Sequence, residues 1–141
     1  MKVSPSFFFT RDKFVAISRD GPFYVWNRVT LALERVVPNS STNVGIRQGI
    51  WTGDGNIFVT SGFDNERTIQ IWDLDCDNEQ PLLKVSVYGL VSHLKSNDKR
   101  IVVLSMTTAP AFFSDTAVGR DFKVEIWNMD AIVNEAKKFR K

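Results

Sequence analysis

Residues 57–75 read IFVTSGFDNERTIQIWDLD. Two apolar runs rich in β-branched and aromatic side chains flank a polar, charged turn, and the second run ends on Trp72-Asp73. That is the composition of two short strands and the hairpin between them. One hairpin leaves the architecture open, whereas a hairpin that recurs at a fixed period decides it.

It recurs twice. FVAISRDGPFYVWN at 14–27 and RIVVLSMTTAPAFFSDTAVGRDFKVEIWNMD at 100–130 run in the same way from an apolar strand through a polar turn to a strand ending in Trp and a small polar residue. Trp26, Trp72 and Trp127 stand 46 and 55 residues apart, close to the period of about 40 to 45 of four-stranded propeller blades. The excess in the third unit is an insertion, SMTTAPAFFSDTAVGRD at 105–121. Ahead of the second and third hairpins, IRQGIWTGDGN (46–56) and LVSHLKSNDKR (90–100) alternate apolar and polar residues before a turn, each supplying one more strand. LALERVV (31–37) and PLLKVSV (81–87) add a fourth strand to the first two units, and the third has no equivalent. The expectation is an all-β chain of four, four and three strands.

The three units resemble WD repeats, the Trp-Asp family of β-propeller blades, across nearly the whole chain. Trp72-Asp73 is the literal dipeptide, and Trp26-Asn27 and Trp127-Asn128 are its common variant. The resemblance also implies an acid in the turn before each Trp strand. Asp20 and Asp121 lie six residues ahead of their tryptophans, and in the middle unit that offset falls on Glu66, with Asp64 nearby. A short carboxylate in such a turn accepts backbone N–H bonds and holds the hairpin shut. The family's Gly-His pair has no counterpart, so the His-Asp-Ser-Trp network of such blades is expected to be incomplete. The implied fold is a partial propeller: a first blade over about 1–38, a second over about 44–88, an incomplete third over about 89–130, and a basic helix or tail over 131–141. Asp130 is placed to cap that helix, with Ile132, Ala136 and Phe139 on one face.

Closed propellers hide their sheet edges with about four to eight blades, so three leave terminal faces that need a cover. Further blades of a longer chain, a second protein, or a second copy forming a six-bladed ring would each supply it. A different small β fold is the remaining alternative.

Composition narrows the functional classes. The 141 residues are 43% hydrophobic and 24% charged, with eleven Phe and four Trp, the balance of a single folded domain. Eighteen basic against sixteen acidic residues leave a net charge of +2, too small to impose a nucleic-acid or anionic-membrane reading. With Cys76 as the only cysteine no internal disulfide forms, which favours an intracellular location. No apolar stretch reaches the ~18 residues of a membrane span.

Chemistry finds few candidates. His93 stands alone in a strand pattern and Cys76 sits among aspartates that raise a thiol's pKa. Asp73, Asp75, Asp77 and Asn78 lack the Gly and distal Glu of a calcium loop. No catalytic residue, metal site or cofactor is therefore assigned. Binding has better candidates. The expanded 105–121 loop carries Phe112 and Phe113 after Pro110, an aromatic anchor or else a plug for the blade itself. Arg19 and Arg120 precede the turn acids on the rim that the resemblance makes partner-facing, where they would grip an acidic group or pair with Asp20 and Asp121. The expected function is a non-catalytic protein-interaction platform within an assembly. The alternative is a nucleic-acid-associated subunit that uses those arginines and the basic end Lys137, Lys138, Arg140 and Lys141.

Overall fold

Alternation with a period of two turns each apolar run into a strand with two distinct faces, and the polar connections between them fold neighbouring runs antiparallel. A computed structural model of the chain describes residues 3–18, 22–38, 46–62, 67–76, 79–97, 99–106 and 122–140. Its strands are β1 (Val3–Phe9), β2 (Lys13–Ser18), β3 (Phe23–Asn27), β4 (Leu33–Val37), β5 (Ile46–Trp51), β6 (Ile57–Gly62), β7 (Thr68–Asp73), β8 (Leu83–Ser86), β9 (Leu90–Asn97), β10 (Arg100–Met106) and β11 (Phe122–Asn128). Among the described residues one helix, α1 (Met129–Lys137), follows. The strands form three separate antiparallel meanders: β1-β2-β3-β4, β5-β6-β7-β8 and β9-β10-β11. The expected succession of four, four and three strands is present, and the three recurring tryptophans lie in three different sheets.

Register places those tryptophans identically. Trp26 stands opposite Phe14, Trp72 opposite Phe58 and Trp127 opposite Ile101. The first strands of successive sheets are neighbours, β1 beside β5 and β5 beside β9. At the first of these contacts Gly49 is required by proximity: a Cβ there would lie 2.5 Å from Phe8 Cε1 and 2.8 Å from Ile17 Cδ1. At the second, Gln48 Oε1 accepts a hydrogen bond of 2.7 Å from the Leu94 backbone N–H.

Two apolar layers fill the gaps between sheets. Between the first and middle sheets, Val15, Ile17, Phe23 and Val25 meet Phe58 and Trp72. Trp72 sits edge-on to Phe23 at 4.7 Å and stacked on Phe58 at 6.2 Å between ring centroids. Between the middle and third sheets, Ile57, Val59, Ile69 and Ile71 meet Val91, Leu94, Ile101 and Val103, with Trp127 packed alongside. The middle sheet is thus apolar on both faces, which is why β7 is buried almost throughout rather than alternating. Each such side chain contributes about 1.5–3 kcal/mol on leaving water.

Helix α1 closes the second layer with Met129, Ile132, Val133 and Ala136. Its start differs from the expectation at Asp130. Asn128 is the N-cap, its Oδ1 accepting from the Ala131 N–H at 2.9 Å, and Asp130 lies in the first turn, where its charge faces the positive end of the helix dipole. The helix therefore begins at residue 129, not 131. Of the expected apolar face, Ile132 and Ala136 are buried, while Phe139 lies beyond the helix and is exposed.

Candidate interaction faces and rim

The Trp-bearing faces set a rule of direction. Trp72 faces the first sheet and Trp127 faces the middle sheet, so each Trp face packs on the sheet before it in the chain. The opposite faces, carrying Val15 and Val25 in the first sheet and Val59 and Ile71 in the middle one, pack on the sheet after. By the same register the Trp26 face of the first sheet and the Val102–Ile126 face of the third sheet point outward.

Both outward faces carry exposed apolar side chains, and on the third sheet His93 and Lys95 of β9 share the face with them. On the first sheet, Phe14 joins Phe7, Phe9 and Trp26 at ring-centroid distances of 5.6, 5.1 and 5.4 Å, and Tyr24 stacks on Trp26 at 6.2 Å. Phe7 is 61% exposed and Phe9 45%, and at the other edge of the sheet Leu33 and Val36 on β4, the cross-strand partners of Trp26 and Tyr24, are exposed too. The Arg28 guanidinium covers Phe9 at 4.7 Å, the usual cation–π distance. On the third sheet, Val124 and Ile126 are exposed, next to half-buried Val102 and Leu104, their cross-strand partners.

One rim of the stack is fastened by a polar hub. Asn56, buried in the β5–β6 turn, accepts at Oδ1 from Thr10 Oγ1 (2.8 Å) and from the Asp12 N–H (3.0 Å), and donates from Nδ2 to Asp12 and to Asp75 Oδ1 (3.0 Å). The Arg11 hydrogen bond first, and the Asn56 amide second, hold the Asp12 carboxyl below the usual aspartate range. The turn reaches this position through Gly53 and Gly55 at φ of 83° and 51°, as the Gly-Asp-Gly pattern requires. Nearby, Arg35 donates from Nη1 to the carbonyls of Leu74 and Cys76, tying β4 to the middle sheet.

The basic end of the chain is engaged at the same rim. Lys137 Nζ meets Asp54 Oδ2 at 2.6 Å, Arg140 Nε meets the fully buried carboxylate of Asp73 at 2.6 Å, and Lys138 pairs with Glu135 at 2.9 Å. Asp73 also accepts from the Asp75 N–H at 2.9 Å. Burial first, and then the Asp73 charge, push the Cys76 thiol up, away from the thiolate form a nucleophile needs. His93 lies exposed on β9. Among the described residues no group of three His, Cys, Asp or Glu side chains is placed to hold a metal ion, and no helix is long and apolar enough to cross a membrane.

Arg19, Asp20, Asp64, Glu66, Phe112, Phe113, Arg120 and Asp121 fall in the β2–β3, β6–β7 and β10–β11 connections and lie outside the described residues. Of the sequence-derived site residues, Trp26, Trp72 and Trp127 are described, and their surroundings differ. The Trp72 indole donates to Thr60 Oγ1 at 2.9 Å, whereas the buried Trp127 indole nitrogen has no partner among the described residues. The hub residues Thr10, Asp12 and Asn56 were not singled out from sequence. A lone Asn after a glycine turn carries no signature, and its partners are 44 and 46 residues away.

No family model matches the sequence, and no curated protein matches it. Solved structures do. The chain is similar to the computationally designed Ika8 protein at 17% identity with a TM-score of 0.58, over 92% of this chain and 34% of that one. It is similar to the computationally designed Ika4 protein at 16% identity with a TM-score of 0.58, over 90% of this chain and 66% of that one. It spans about a third of the length of the former and just under two thirds of the latter. At such identities the likeness concerns the fold alone.

Proposed function

We propose that the chain is a WD-like partial β-propeller that acts as a non-catalytic protein–protein interaction platform, one part of a larger assembly. The observation that carries this reading is the pair of open terminal faces, equivalent in register to the faces buried inside the stack. An apolar, aromatic sheet face left in water is a standing site for a protein surface. The blade reading draws on the contact of β1 with β5 and of β5 with β9, the order expected of innermost strands. It draws also on the Trp72–Thr60 bond, one link of the Trp–hydroxyl network that the WD resemblance implies. In this reading the fastened rim keeps the sheets stiff, so that little ordering entropy is lost on association. No catalytic residue or cofactor is assigned.

The rival, a nucleic-acid-associated subunit, loses its strongest ground in the tail, because Lys137, Lys138 and Arg140 are each paired with a carboxylate within the chain. Co-purification of the tagged full chain separates the two. Protein partners retained after nuclease treatment and at ~200 mM salt support the platform. Retention that collapses between ~50 and ~200 mM salt, with nucleic acid in the eluate, replaces it with the rival, since phosphate contacts lose affinity steeply over that range.

A further inference from the structure

We propose that the two outward faces are made for each other: the Trp26 face of one copy docks on the Val102–Ile126 face of a second copy, and two copies close a ring of six sheets. This rests on the propeller reading above and names the occupant of its open faces. Within one chain the same event happens twice, a Trp face seating on the opposite face of the preceding sheet. Among the described residues one face of each kind therefore has no sheet against it, and a second copy carries the complement of both. The contact is head-to-tail, and such heterologous contacts either close into a ring or run on as a filament. Two copies bring six sheets, inside the range of about four to eight that closes, whereas three copies exceed it.

Chemistry agrees with the pairing. In the buried layer between the first and middle sheets, Phe58 and Trp72 seat on a face of Val15, Ile17 and Val25 with one ring, Phe23, among them. The outward faces offer a comparable seat, with Phe9 and Trp26 on one and the branched aliphatic side chains Val124 and Ile126 on the other. Lys95 pairs across strands with Val102 and so lies on the aliphatic face, where its ammonium would meet the aromatic rings of the second copy.

Sedimentation velocity and native mass measurement of the full chain are expected to give twice the chain mass. Phe9→Lys, which sets a charge against that aliphatic face and Lys95, and Ile126→Lys, on the other face, are each expected to give monomers. Both positions are exposed, so the sheets survive, with near-ultraviolet circular dichroism of the indoles as the check; Phe7→Lys and Val124→Lys replace any variant that misfolds. The decisive step is mixing. Phe9→Lys keeps an intact aliphatic face and Ile126→Lys an intact aromatic one, so together they re-form a dimer through one remaining interface. A monomeric unmodified chain, a dimer that survives either substitution, a mixture that stays monomeric, or a filament overturns the inference. A monomer that still retains other proteins at moderate salt would leave the platform reading standing, which keeps the two failures apart.

Discussion

Thr60 and Val103 occupy the same place in successive sheets, two residues along from the cross-strand partner of Trp72 and of Trp127. Only the first offers a hydroxyl, and that difference accounts for one indole being bonded and the other not. Thr60→Val, which keeps the volume, is expected to cost about 1–3 kcal/mol, the penalty of a buried donor left alone. Val103→Thr should supply the missing acceptor and raise stability by about 0.5–1.5 kcal/mol; urea denaturation of both variants checks the pair, and opposite signs are the expected result. Asp12 makes a prediction in pH. Its pKa in the folded chain is below its ordinary value of 3.8, so the unfolded chain binds the proton more readily and the carboxylate favours folding above that value. The advantage disappears as pH falls through and below about 3.8. Melting curves of Asp12→Asn and the unmodified chain should therefore differ at neutral pH and converge in acid.

Helix α1 shows how far an element is legible in sequence. Its amphipathic pattern is plain, and the burial of Ile132 and Ala136 follows from it. Its start is less so, because Asn128 and Asp130 are both capping residue types and stand two apart; only the Asn128 side chain reaches the N–H three residues on. The destination of its basic end is not legible at all. The acids that take Lys137 and Arg140 lie 83 and 67 residues back along the chain, and nothing in a basic tail distinguishes an internal clamp from a solvated or phosphate-binding one. The strands were easier, since the period of two and the turn residues are local signals. If the clamp holds the helix, Arg140→Ala should cost about 1–3 kcal/mol by stripping a charged donor from a buried carboxylate, with faster amide exchange across 129–137. Lys138→Ala, whose pair with Glu135 is exposed on both sides, should stay within about 0.5 kcal/mol.

At the scale of the whole molecule, the three sheets are joined through buried apolar side chains, and one close approach between them is set by an absent side chain. Gly49 lies on β5 where the first sheet closes on the middle one, and neither Phe8 nor Ile17 has room to retreat from a methyl group there: Ile17 is fully buried and Phe8 is held by Phe58 at 5.2 Å. In an ordinary strand, replacing Gly by Ala would stabilise by about 0.5–1 kcal/mol through lost chain entropy. Here overpacking, costing about 1–3 kcal/mol, is expected to win, so Gly49→Ala lowers stability and Gly49→Val lowers it further. The stress falls between sheets rather than within one, and amides of β1 and β2 should therefore lose exchange protection while those of β9 and β10 keep theirs. Uniform loss across all three sheets would mean that the stack unfolds as a single cooperative unit. A stabilised Gly49→Ala would mean that the first two sheets stand farther apart than the close approach at β5 requires.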